Sequence, residues 1–68
     1  MLDIGKMIKE LRVKKELSQE ELANLLSVNR ATIANYESGR RTLTVDKLEE
    51  ILEALNTNLT DFFNSNNL

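Results

Sequence analysis

The chain has 68 residues, enough for one domain with one modest core, and contains no Cys, His or Pro. Serine triads, Cys–His dyads and thiolate or imidazole metal sites are therefore excluded, and neither a cofactor nor a bound metal is expected. The net charge of −2 is segregated: residues 1–43 carry eight Lys/Arg against six Asp/Glu, residues 44–68 one against five, so the first part is the one suited to an acidic partner.

Ile4, Ile8 and Leu11 recur at helical spacing, which predicts a first helix over about residues 3–15. Ser18 with Glu21 three residues on forms a capping box for a second helix, whose apolar stripe is Leu22, Leu25 and Leu26. Leu17, just before the cap, is placed to staple onto Leu22. Asn29 caps a third helix over about 29–37, with Ile33 and Tyr36 directed inward. Gly39 is placed as a left-handed C-cap. Thr44 caps a fourth helix with Leu48, Ile51, Leu52 and Leu55 on one face, and a short fifth helix carries Leu59, Phe62 and Phe63. The expected fold is all-α, a compact bundle of five short helices. Residues 1–63 form its domain and 64–68 a polar, frayed tail. No apolar run approaches the roughly 20 residues of a membrane span, and the opening MLDIGKMIKE lacks a secretory apolar block. A soluble, cytoplasmic chain with no membrane partner is expected, and not an enzyme.

Residues 18–41, SQEELANLLSVNRATIANYESGRR, join two short helices through a three-residue turn. Such helices must cross steeply, which calls for a small residue in the first (Ala23), an apolar anchor in the second (Ile33) and a plug in the turn (Val28). With LSQEELA here, YESGRR after the third helix and IG…LR before the second, the chain resembles the Cro/repressor-type helix-turn-helix family from about Ile4 to Phe63. That resemblance implies a lambda-repressor-like domain with helix-turn-helix at helices 2 and 3. Its third helix would enter the major groove of double-stranded DNA, in a transcriptional regulator of repressor type. Carried over by position, it directs Arg30, Ala31, Thr32 and Asn35 to bases and Gln19, Asn29, Arg40 and Arg41 to phosphates. The chemistry fits: Arg pairs with guanine, Asn with adenine, and an Ala methyl packs on thymine. On an ordinary helix Arg30 and Asn35 would be plain solvated surface, and capping alone accounts for Ser18 and Glu21. Arg12 and Glu37 match the family's partly buried ion pair between the first and third helices.

Glu16, Ser27 and Asn56 stand where many members have glycine, so a left-handed backbone is expected at each. Leu43 replaces a common proline. The crowding of Leu59, Phe62 and Phe63 has two readings: closure of the bundle's open end, or a two-fold interface. Homodimerisation on a two-fold symmetric operator would set two recognition helices roughly 34 Å apart. The alternative function is an antitoxin or adaptor that uses the helical surface and apolar C-terminus to hold a protein partner.

Overall fold

In the computed structural model, which describes residues 2–65, every helix opens on a polar side chain that accepts the backbone N–H three residues on. The elements are α1 (Ile4–Lys14), α2 (Gln19–Leu25), α3 (Arg30–Ser38), α4 (Val45–Ala54) and α5 (Leu59–Ser65). Asp3 accepts from Lys6 at 3.0 Å, Asn29 from Thr32 at 3.1 Å, Thr44 from Lys47 at 3.2 Å and Asn58 from Asp61 at 2.9 Å. At α2 the box is reciprocal: Ser18 Oγ accepts the Glu21 N–H at 3.0 Å, and Glu21 Oε1 accepts the Ser18 N–H at 2.8 Å. Each cap satisfies an amide that the helix leaves without a partner.

Three helices end in one motif. After α1, α2 and α4 the chain turns through Glu16, Ser27 and Asn56 at φ 60, 57 and 59°. The next residue then bonds back, Leu17 N–H to Arg12 O, Val28 to Ala23 and Thr57 to Leu52, at 2.9–3.1 Å. These are Schellman closures, here with a side chain at the position glycine usually takes. Leu17 and Val28, the residues just past the turns, fold back onto the core. Helix α3 ends conventionally, on Gly39 at φ 81°.

The core is built from Met7, Ile8, Leu22, Ala23, Ile33, Tyr36, the α4 stripe Leu48, Ile51, Leu52 and Leu55, and Phe62. Helix α3 packs on both α1 and α2. It meets α1 almost backbone to backbone at Gly5, where a Cβ would run into the carbonyl oxygens of Tyr36 and Glu37, 2.7 Å from the latter. Only glycine fits there.

Three expectations need correction. Leu25 is 59% exposed and not part of the α2 stripe. A seven-residue helix buries a narrow face, here Leu22, Ala23 and the half-buried Leu26, and Leu25 instead lines a groove of about 480 Å³ with Val28, Ile51 and Ala54. Phe62 is 2% exposed and so fully used inside its own chain, which removes it from any interface with a second copy. Leu59 and Phe63 are half-buried against the core, and the two Phe rings meet edge to face at 5.2 Å. Helix α5 runs on to Ser65, so the polar segment expected to fray from residue 64 begins as helix, carried past the buried Phe62 anchor; residues 66–68 of that segment lie outside the described residues.

Candidate nucleic-acid interface

Helix α3 divides by face. Ile33, Tyr36 and Glu37 are buried, while Arg30 and Ala31 are exposed and Thr32, Ala34 and Asn35 half-buried on the outward side. Helical spacing accounts for most of the split: 33, 36 and 37 are one stripe and 31, 34 and 35 lie away from it, whereas Arg30 shares the side of Ile33 and Glu37 and is exposed because it is the first residue of the helix. Arg30 and Ala31, at the start of α3, are thus exposed, while Ile33 anchors the same turn in the core. Ala34 belongs to this surface although no motif singled it out. Its i+4 and i+3 relation to Arg30 and Ala31 is the signal that places it there.

Arg12 and Glu37 lie together in the interior, Arg12 Nε donating to Glu37 Oε2 at 2.7 Å and Nη2 to Oε1 at 3.1 Å. Arg12 Nη1 also donates to Leu17 O at 2.7 Å. The bidentate pair, with the extra carbonyl, satisfies two charges that burial would otherwise penalise severely. Gln19 extends it, its Nε2 donating to Glu37 Oε1 at 3.0 Å and its Oε1 accepting from Arg30 Nη1 at 3.1 Å. All four residues stand out in the sequence, but nothing there shows that they form one connected chain. The contacts span up to 25 positions, beyond any local pattern.

The other expected contact residues flank this line. Asn29, exposed, spends its side-chain oxygen on the Thr32 N–H and hydroxyl at 3.1 and 3.0 Å, so what it offers a ligand is its amide N–H groups. Arg40 and Arg41 are both exposed past the end of α3. The guanidinium of Arg41 lies over the Tyr36 ring, 5.5 Å from its centroid, and its backbone N–H caps Asn35 O at 3.2 Å. The Ser18 backbone N–H, and then its hydroxyl, hold the Glu21 carboxyl below its ordinary range. The exposed carboxylates of α4 and α5 (Asp46, Glu49, Glu50, Glu53 and Asp61) belong to other elements than this surface. Among the described residues no group of His, Cys, Asp or Glu is arranged to hold a metal ion, and no helix is long and apolar enough to cross a membrane.

A helix-turn-helix family model matches residues 8–62. An HTH-type transcriptional regulator of Rickettsia conorii is 38% identical over 60 residues, covering 88% of this chain and 48% of that protein. Antitoxin PezA of Streptococcus pneumoniae is 31% identical over 58 residues, 85% of this chain and 37% of PezA. The chain thus spans about half the length or less of these two curated relatives. Among solved structures, the wild-type restriction-modification controller protein C.Esp1396I superposes with a TM-score of 0.85 at 32% identity, over 93% of this chain and 83% of that one. The match of sequence and of helix order, with α2 and α3 as the paired elements, places the chain in the Cro/repressor-type helix-turn-helix family.

Proposed function

We propose that this chain regulates transcription by sequence-specific binding of double-stranded DNA, with the first turns of α3 in the major groove. One observation carries the reading: α3 buries Ile33, Tyr36 and Glu37, and among the described residues leaves Arg30 and Ala31 exposed and Ala34 and Asn35 partly so, groups compatible with guanine, thymine and adenine. Arg30 and Asn35 read bases, Ala31 packs on a thymine methyl, and Thr32 lies at the edge of the groove. Gln19, Asn29, Arg40 and Arg41 hold phosphates on either side and fix the register without reading sequence. The names of the Rickettsia regulator and of the controller protein support this assignment.

The protein works as a homodimer on a two-fold symmetric site. One protomer, 32 × 23 × 20 Å, presents a single nine-residue recognition helix, too little for selectivity alone. Leu59 and Phe63, half-buried at the end of the bundle, are the surface offered to the second copy.

The test is titration against duplex DNA from upstream of the chain's own gene at two salt concentrations. Specific binding with a two-fold footprint and a steep salt slope is expected. Arg30→Ala is expected to lose about 1–3 kcal/mol and to relax preference at one base pair per half-site. The similarity to PezA favours a second reading, an antitoxin. A monomer without salt-sensitive DNA affinity that co-purifies with a protein partner would select it over the first.

A further inference from the structure

We propose that Tyr36 is a positioning residue for Arg41: its ring sets the guanidinium beside the end of α3 for a DNA phosphate, and leaves the charge and the N–H groups of that guanidinium unspent. The proposal rests on the DNA-binding reading given above and gives a core side chain a part in it.

An exposed arginine samples many rotamers, and a ligand must order it before gaining from it. Two kinds of partner can order it in advance. A carboxylate does so by accepting its N–H groups and offsetting its charge, which are the properties a phosphate needs. The face of an aromatic ring attracts the cation through its quadrupole and takes up no N–H donor.

Arg41 has the second kind of partner. Its guanidinium lies over the Tyr36 ring, 5.5 Å from the centroid. Its backbone N–H is held as well, by Asn35 O at 3.2 Å, so both ends of the residue are tied to α3 although it lies beyond the helix. Tyr36 is 7% exposed and part of the core, which makes its ring a fixed platform. Carboxylates are near at hand, since Glu50 and Glu53 line the same groove as Tyr36 and Arg41. Yet Glu50 pairs with Lys47 at 3.1 Å, and among the described residues no carboxylate comes within ion-pair distance of Arg41. The cation is ordered without being neutralised.

Arg40 supplies the contrast. It is exposed, and among the described residues its side chain meets no hydrogen-bond, ion-pair or ring partner. Both arginines attract phosphate, but only Arg41 is fixed to the helix that carries the base-reading side chains. A phosphate held by Arg41 therefore sets the position of α3 directly, and one held by Arg40 does so only through a loose side chain.

The test uses the full chain with Tyr36→Leu, Tyr36→Phe, Arg41→Ala and Arg40→Ala. In the DNA-free protein, the side-chain proton resonances of Arg41 should be displaced upfield from those of Arg40 by the ring current of Tyr36. Tyr36→Leu should abolish that displacement and Tyr36→Phe should keep it. On duplex DNA, Arg41→Ala should lower the salt slope by about one. Tyr36→Leu should weaken binding by about two- to fivefold, Tyr36→Phe should bind as wild type, and the Tyr36→Leu loss should vanish when Arg41 is already Ala but persist with Arg40→Ala. Absence of the upfield displacement in wild type would overturn the proposal, and that reading needs no substitution, so it stands even if Tyr36→Leu fails to fold. A Tyr36→Leu loss that is independent of Arg41, or a Tyr36→Phe loss of equal size, would overturn it too. Should wild-type protein show no salt-dependent DNA affinity, the DNA-binding reading fails, while the resonances of Arg41 still decide whether the ring holds it.

Discussion

The most consequential single residue is Glu37. It is buried in the last turns of α3 and accepts from Arg12 twice and from Gln19 once, so its carboxylate serves the interior and the DNA-facing surface together. Truncation by Glu37→Ala strands the Arg12 guanidinium in an apolar setting and should cost about 3–5 kcal/mol, read as a shift of the urea midpoint. Joint replacement of Arg12 and Glu37 by Leu should cost less than Glu37→Ala alone, because no unpaired charge is left behind. Which side chains the pair comprises is legible in the sequence through the family pattern. Its continuation through Gln19 to Arg30 is not, since hydrogen-bond polarity across three helices has no sequence period.

Among the elements, three helix ends hold a side chain in the left-handed region, and there stability is most easily changed. Glu16 and Ser27 hold left-handed conformations that disfavour a Cβ. Ser27→Gly and Glu16→Gly should each stabilise by up to about 1 kcal/mol, seen as raised thermal midpoints, provided no side-chain contact is lost. The start of α2 makes a pH-dependent contribution. The Ser18 N–H and hydroxyl lower the Glu21 pKa on folding, so ionised Glu21 favours the native state above its ordinary value of 4.5. That contribution is lost as the pH falls through the depressed native value. The stability gap between wild type and Glu21→Ala, followed by helical circular dichroism, should therefore be widest near neutrality and close in acid. Helix identities and caps were readable because a cap and its amide lie three residues apart. Leu25 departs from the α2 stripe, because in so short a helix the neighbours, and not the period, settle which last-turn residue is covered.

Over the whole molecule, charge follows chain order, and the two kinds meet in the groove that Thr32 and Arg41 line with Glu50 and Glu53. Arg30, Arg40 and Arg41 border the outward face of α3, whereas the exposed carboxylates of α4 and α5 sit on the C-terminal helices. Leu59 and Phe63 lie on α5 with Asp61. If α5 forms the proposed two-fold contact, the two α3 helices reach successive turns of one groove. Phe63→Glu should then shift sedimentation toward monomer and weaken operator binding while helical content persists. An unchanged sedimentation coefficient would assign the contact to another surface.

By itself the sequence determined the helix order, the caps at Ser18, Asn29 and Thr44, the left-handed Gly39, and the inward Ile33 and Tyr36; the left-handed turns at Glu16, Ser27 and Asn56 followed from the family resemblance. All of these depend on groups within about one or two turns of each other, where spacing along the chain is spacing in space. Tertiary structure alone decided that Phe62 is core while Phe63 is only half covered, that Leu25 faces a groove, that Gly5 admits no side chain, and that Arg30 is tied through Gln19 to a buried ion pair. Those outcomes come from which helices touch and at what distance, a property of packed surfaces that no local pattern of residues contains.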